Sequence, residues 1–532
     1  MSQVRKARSS ESPTTAQEQR ARQAVARRWV GLLLGVLLGA VVYLVLPDSL
    51  AMEARATAGI GILMAVWWMT EAIPLPVTAL VPLVAFPLFE VTPIGTVDVE
   101  DAGADATTSD LLGAAAPYAH PVIFLFLGGF MLALAMQRWG LHKRIALRTV
   151  LLVGTKPVML VAGFMLATAF LSMWVSNTAT TVMMLPIGLS VLVLVSQLGD
   201  GKDSGGDDPN FAVALMLGIA YAASIGSLGT IIGTPPNGLL VSNLEEQGIH
   251  IGFGQWMLFG VPIAIVFLFL AWLALTQLVF RPRLKELPGG RELIQRHLNE
   301  LGPMSAGEWT VLVVFVSAAL GWIFIPTLFG SDGVDSLKAA LPLLTRVEDE
   351  VIAIAMAIAL FILPVRGRPG ERVLDWDTAK QLPWGILLLF GGGLTLANQI
   401  KVTGLGGWIG EQVEGVGAVG VLVLVLIVAG LVLLLTELTS NTATTATFLP
   451  ILIGVAGGLA VDPMLLAVPA ALAATSAFML PVATPPNAIA FGSGYVRMGH
   501  MVRAGVVLNV VGMVVITVAM FTLAGPVLGV SF

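Results

Sequence analysis

SNTATTVMMLPI at residues 176–187 and SNTATTATFLPI at residues 440–451 are one polar word set twice into apolar sequence, with 9 of 12 positions identical. Each copy is followed by a second shared string, GTPPN at 233–237 and ATPPN at 483–487. A lone SNT could be a small-residue seam between helices, and a lone Pro pair could be a kink. The coupled duplication reads differently. Matching interruptions of apolar segments in the two halves of a chain mark a ligand site in a membrane protein built from repeats.

Working outward, the 532 residues are 56% hydrophobic and 11% charged, with mean hydropathy +0.89. A soluble chain carries roughly 25% charged residues, so this is a polytopic membrane protein. About 20 apolar residues cross the hydrocarbon core. Candidate spans lie near 29–47, 56–73, 75–89, 119–137, 211–232, 255–280, 308–327, 349–365, 383–400, 464–482 and 503–527. Stretches 157–195 and 417–456 hold the SNT strings at their middles. Cysteine is absent, which excludes disulfides and thiolate metal sites, and the five His residues do not cluster. No basic stripe interleaved with aromatics supports nucleic-acid binding. Residues 1–28 are polar and Arg-rich with Glu11 and Glu18 among them, which favours a disordered cytosolic tail over a signal peptide.

Basic residues orient the spans. With the N-terminus cytosolic and both SNT stretches re-entrant, 24 of the 28 Lys and Arg fall on the cytosolic side. Only Arg55, Lys338, Arg346 and Lys401 fall outside, together with the acidic stretch 98–110. Two ordinary single spans in place of the hairpins would move the following basic loops to the wrong side. The first hairpin follows Lys143, Arg144, Arg148 and Lys156, and the second follows Lys401, Glu411 and Glu414. The same motif with opposite flanks is the mark of an inverted repeat. The expected fold is therefore all-α, with about 11 transmembrane helices, two re-entrant helical hairpins and repeat units near 119–280 and 383–527. LFLGGFML (125–132) and LLFGGGLT (388–395) extend the likeness upstream.

A broken helix exposes carbonyls where its first arm ends and amides where its second begins. The former favour cations and the latter anions. Asn, Ser and Thr can serve either charge. Pro at the first helical turn loses no needed donor, so Pro235–Pro236 and Pro485–Pro486 suit the restart of a second arm.

On these residues the chain resembles the divalent anion/sodium symporter family, the sodium–dicarboxylate and sodium–sulfate cotransporters. The paired SNT and TPP motifs carry the resemblance, which runs from about residue 57 to 525. It implies a homodimer of the elevator type in the inner membrane, with the C-terminus outside. The implied scaffold is 29–137 plus 305–400, and the transport domain is 156–280 plus 416–532. Horizontal connecting helices at 138–155 and 401–415 and a cytosolic linker at 281–304 complete the division. One sodium site would use Ser172, Ser176, Asn177 and Gly233, and its partner Thr436, Thr439, Asn441 and Ala483. A small dianion, a C4 dicarboxylate such as succinate, malate or fumarate, would meet Asn177, Thr178, Asn441 and Thr442. Thr234, Pro235, Thr484 and Pro485 would line the same pocket. No organic cofactor is implied.

The alternatives are a dicarboxylate exchanger of the same fold, or a sodium–sulfate or tricarboxylate transporter. A membrane enzyme would need a nucleophile–base pair or metal ligands at depth, and Ser176 has no evident base. A channel fits two capped breaks poorly. Glu437, beside the second SNT, is a functional candidate by default; a carboxylate facing the aqueous cavity or bridging domains is the preferred reading. Glu71 reads as a cap or a bridge to the scaffold, Trp67 and Trp68 as interfacial belt residues, and His120 as an outer helix end.

Overall fold

The computed structural model describes residues 13–89, 91, 113–154, 156–198, 208–284, 289–330, 333–413 and 420–532. The acidic stretch 98–110, Lys202, Glu414 and the first twelve residues lie outside the described residues. The described chain is helical, with no strand beyond an isolated bridge between Pro364 and Arg372. Eight described helices are long and apolar enough to cross a membrane. The first helix runs Pro13–Val45. Residues 13–28, expected within a disordered tail, are thus helical. The expected span 75–89 divides into Leu75–Thr78 and Val81–Leu88, where Pro82 has no N–H to continue the ladder back to Thr78.

The two halves repeat one order of elements. In the first, a span (Pro121–Arg138) leads to a connecting helix (Leu141–Val153) and a hairpin with arms Pro157–Ser172 and Asn177–Leu198. A broken helix (Pro209–Gly226, then Pro235–Glu245) and a closing span (Phe253–Leu273) follow. The second half runs Trp384–Val402, Leu405–Val413, Val421–Thr436, Asn441–Gly458, Met464–Thr475, Pro485–Gly492 and Met498–Ala519. Each connecting helix is preceded by a left-handed glycine, Gly140 (φ 72°) and Gly404 (φ 74°). They stand 264 residues apart, as do the SNT strings. A sharp turn at positive φ costs glycine little, so the equivalence extends to the backbone.

The basic stretches meet at one end. Arg138 Nη1 lies 2.6 Å from Asp375 Oδ2, and Trp139 Nε1 donates to the Val373 carbonyl at 2.8 Å. Asp208 Oδ2 accepts from the Leu284 amide at 3.0 Å, and Asn210 Nδ2 donates to the Arg281 carbonyl at 3.1 Å. Trp272 Nε1 donates to the Val158 carbonyl near the start of the first hairpin. The chain therefore enters that hairpin at 157 and is back at the same end by 208. The opposite end is acidic. There His120 faces Glu245 and Glu246 at 3.6 and 3.8 Å, and Lys401 donates to the Glu246 carbonyl. Asp349 Oδ2 accepts from the Phe253 amide at 2.6 Å. Gln255 Nε2 donates to the Val527 carbonyl at 2.9 Å, and Asp462 Oδ2 accepts from the Ser531 amide at 3.0 Å. The second hairpin, flanked by Lys401 and Asp462, thus opens from this other end.

A buried ion pair fixes the first connecting helix. Arg144 and Glu308 are 4% and 5% exposed, with Nε and Oε1 2.6 Å apart. The same guanidinium donates to the Gly302 and Leu301 carbonyls at 2.9 and 3.3 Å. Arg144→Met leaves a buried carboxylate without its partner and is expected to cost about 3–5 kcal/mol. A fall in the thermal unfolding midpoint, largely restored by adding Glu308→Leu, checks it.

Candidate ion and anion site

Each SNT string begins the second arm of its hairpin, so each hairpin tip presents a helix C-terminus and then a helix N-terminus. At the first tip, Ser172 Oγ lies 2.6 Å from the Ala223 carbonyl oxygen and 2.9 Å from Asn177 Oδ1. At the second, Thr436 Oγ1 lies 2.7 Å from the Ala474 carbonyl oxygen and 2.8 Å from Asn441 Oδ1. Each cluster gathers three oxygens, one of them a hydroxyl with a single proton to share between the other two. That arrangement suits a hard cation, which takes oxygen ligands.

Other candidate ligands join these clusters unequally. Asn177 Nδ2 donates to Ser227 Oγ at 3.3 Å, and a Cβ on Gly233 would stand 2.3 Å from the Ser227 carbonyl oxygen. Ser172, Asn177 and Gly233 therefore converge through Ser227. Ser176 stands aside, its Oγ accepting from the Ala179 amide at 3.3 Å and capping the second arm. Thr439 turns to its own hairpin, with Oγ1 2.6 Å from Thr444 Oγ1 and donating to the Leu435 carbonyl. The Ala483 amide donates to the Leu480 carbonyl at 3.3 Å, in the loop between the arms of the second broken helix.

The Asn that closes each TPPN string shapes that loop. Asn237 Nδ2 donates to the Ser227 and Thr230 carbonyls at 3.2 and 2.8 Å. Asn487 Nδ2 donates to the Ala477 and Leu480 carbonyls, both at 3.1 Å. Both side chains are fully buried, and in both Oδ1 has no partner in the protein. In sequence, recurrence in both TPPN strings is the signal of these Asn residues, and it does not reveal their role as clamps. Ser227 carried no such signal, since its counterpart in the second loop is Ala477.

The halves interlock crosswise. Asn177–Leu198 packs on Pro485–Gly492, and Pro235–Glu245 packs on Asn441–Gly458. Each SNT helix is thereby set against the TPP helix of the other half. Gly238 secures one of these arms, because a Cβ there would stand 2.3 Å from Phe126. Ser176, Thr178 and Pro485 are exposed, Asn177, Asn441, Thr442 and Pro235 half-buried, and Thr234 and Thr484 buried. Thr484 Oγ1 accepts from the Asn487 amide at 3.3 Å. A cavity of about 610 Å³, lined by Gln137, His142, Lys143, Ala179, Met183 and His297 among others, reaches the first SNT arm at the basic end.

Glu437 departs from its sequence reading. It is 3% exposed, and its hydrogen-bond partners all lie in its own half of the chain. Its carboxylate accepts from the amides of Phe478 (2.8 Å), Met479 (3.0 Å) and Leu480 (3.2 Å), and from Asn509 Nδ2 (2.8 Å). In the first half Met173 takes this position, and its backbone carbonyl accepts from the Thr230 hydroxyl. Trp68 also differs from expectation: it is fully buried, its indole donating to the Leu75 carbonyl at 3.2 Å, while Trp67 is half-buried and donates to the Leu32 carbonyl at 3.2 Å. Glu71 is the left-handed C-cap of Met52–Thr70, and His120 caps Pro121–Arg138.

Among the described residues no group of His, Cys, Asp and Glu is placed to hold a metal ion. The oxygens gathered at the two tips come from hydroxyls, side-chain amides and backbone carbonyls, a set that suits hard cations better than transition metals.

Residues 26–530 match the family described as the sodium:sulfate symporter transmembrane region. A sodium-dependent dicarboxylate transporter, SdcS, of Staphylococcus saprophyticus is 42% identical over 94% of this chain and 92% of its own length. The protein of the same name from Staphylococcus aureus strain USA300 is 41% identical over 94% and 93%. Among solved structures, MtrF of Neisseria gonorrhoeae aligns with TM-score 0.52 at 12% identity, over 87% of this chain and 98% of that one. The YdaH transporter of Alcanivorax borkumensis aligns with TM-score 0.51 at 14% identity, over 88% and 99%. At such identities these two matches speak to fold alone.

Proposed function

The chain belongs to the sodium:sulfate symporter family, and from that premise we propose that it imports a C4 dicarboxylate, such as succinate, malate or fumarate, with sodium. The observation that carries this reading is the doubled oxygen cluster, Ser172 with Asn177 and Ala223, and Thr436 with Asn441 and Ala474. Each stands where one helix ends and the next begins. Sodium ions sit at the carbonyl ends, with Gly233 and Ala483 offering backbone oxygens, and displace the hydroxyl protons from their present acceptors. The dianion lies between the starts of Asn177–Leu198 and Asn441–Gly458, held by Asn177, Thr178, Asn441 and Thr442. Thr234, Pro235, Thr484 and Pro485 line it. Ser176 and Thr439, turned toward their own hairpins in this structure, complete the ion sites by rotating inward.

Neither SNT nor TPPN string holds a Lys or Arg. The bound ions and the helix N-termini offset the dianion's charge, so sodium binds first. The basic end faces the cytosol, which puts the N-terminus inside and the C-terminus outside in a bacterial plasma membrane. The 610 Å³ cavity at that end then makes this an inward-facing state. Segments 156–280 and 416–532 move together as the transport domain against a scaffold of 29–137 and 305–400, within a homodimer.

Purified protein in liposomes is expected to accumulate labelled succinate under an inward sodium gradient. Uptake indifferent to sodium but dependent on internal dicarboxylate would make the protein an exchanger. Suppression by sulfate or citrate more strongly than by malate would reassign the substrate.

A further inference from the structure

The two hairpins are equivalent in sequence order but not in how their connecting helices sit. The first connecting helix, Leu141–Val153, packs on the first arm of its hairpin and on the cytosolic-end helix Gly290–Glu300. The second, Leu405–Val413, lies instead on the second arm, Asn441–Gly458. The consequence shows in two cavities that share equivalent lining positions. The first, about 610 Å³, separates Gln137, His142 and Lys143 from Met183, Pro186 and Ile187. The second, about 190 Å³, lies between Lys401, Gly406 and Gly407 and Pro450, Ile453 and Gly454. Gln137 and Lys401, His142 and Gly406, and Pro186 and Pro450 each stand 264 residues apart. One junction, met twice, is wide at the basic end and narrow at the acidic end.

Backbone contact between glycines shuts it. A Cβ on Gly458 would stand 1.8 Å from Gly410 Cα, and one on Gly410 would stand 2.2 Å from Gly458 Cα. One turn along, a Cβ on Gly454 would stand 3.0 Å from Gly406 Cα. Glycines four apart on both helices let the backbones approach this closely, as in small-residue seams between membrane helices. The first junction has His142, Ala146, Ser190 and Leu194 at the four equivalent positions. None of the four is a glycine, so the backbones there cannot approach as closely.

We infer that Gly406, Gly410, Gly454 and Gly458 form the seal of the acidic-end door, and that this seal sets which side the ligand site opens to. The matching junction at the basic end has no such seal, and the protein without a gradient rests with that end open. Opening toward the acidic end requires the glycine contact to part. This inference rests on the proposed alternation of access, but its test does not require transport.

The chain has no cysteine, so single reporter cysteines can be placed at will. Val182→Cys reports the basic-end cavity and Ile453→Cys the acidic-end one. Labelling by a hydrophilic maleimide is measured on the full-length protein in detergent. Gly457 and Gly407 supply the controls, since a Cβ at either meets nothing within 4 Å. Gly458→Ala is expected to speed labelling of the acidic-end reporter several-fold and to slow labelling of the basic-end reporter. Gly454→Ala should give a smaller change of the same sign, and Gly457→Ala and Gly407→Ala none. If Gly458→Ala does not yield a folded protein, the milder Gly454→Ala decides. Equal labelling in the Gly454 and Gly458 variants and the parent, or the same change in the controls, overturns the inference. Failure of sodium-driven uptake by the parent, with the labelling order intact, would instead count against the transport reading.

Discussion

Asn177→Ala and Asn441→Ala are each expected to reduce sodium-driven succinate uptake in liposomes to background while leaving the protein folded. Each amide side chain does two jobs at once. Its Oδ1 belongs to the oxygen cluster at the hairpin tip, 2.9 Å from Ser172 Oγ or 2.8 Å from Thr436 Oγ1. Its residue also starts the second arm, where free backbone amides and the positive end of the helix dipole favour an anion. Alanine keeps the helix start and removes the oxygen, so on the proposed site the cation loses a ligand and the dianion loses the charge that balances it. Both residues are half-buried, and an alanine there leaves room for water. The stability cost should stay near the ~1 kcal/mol of an ordinary hydrogen bond, and thermal unfolding in the absence of sodium should change little. The distinguishing measurement is stabilisation by ligand. The parent should gain a higher unfolding midpoint from sodium and succinate together, and neither variant should. Near-normal uptake by both variants would remove the SNT strings from the site.

Much of this architecture was legible because the repeat is written in residues whose backbone demands are strong. The Pro pairs restart broken helices and the SNT strings start arms, whereas the paired left-handed turns at Gly140 and Gly404 show only in the backbone. Charge placement separated the two hairpins by end, and the ion pairs and hydrogen bonds gather the basic stretches at one of them. What escaped was set by three-dimensional contact rather than by composition. Ser227 joins Asn177 to Gly233, yet nothing about an isolated Ser in an apolar segment announces it. The Oδ1 atoms of Asn237 and Asn487 have no partner, and no spacing rule tells a clamp from a ligand. Ser176 and Thr439 point at their own hairpins, which a motif alone does not convey. The helix start at Pro13 escaped because residues 13–28 are polar, and polarity was read as disorder.

Glu437→Gln is expected to abolish transport by a different route, through the shape of the second loop. Three consecutive backbone amides, from Phe478 to Leu480, converge on one carboxylate, and Asn509 Nδ2 adds a fourth donor. Carboxylate oxygens accept only, whereas one end of a Gln amide donates. Whichever way the amide is turned, its NH₂ faces at least one donor, and an amide left unpaired in a buried site costs about 1–3 kcal/mol. The loop carries the Ala477 and Leu480 carbonyls that Asn487 clamps, and Leu480 in turn accepts from the Ala483 amide. Displacing it moves the backbone oxygens proposed for the second ion while the first cluster, around Ser172, is untouched. Thermal unfolding should therefore fall by several degrees even without sodium, unlike the two Asn variants. Glu437→Asp, which keeps the charge but shortens the reach, should retain part of the lost stability and little of the transport. The first half offers the internal contrast: Met173→Leu, at the equivalent position, preserves the backbone carbonyl that accepts from Thr230 and should leave both uptake and stability nearly unchanged. Full activity in Glu437→Gln, with an unchanged unfolding midpoint, would show that backbone amides alone hold the loop and that the carboxylate is dispensable.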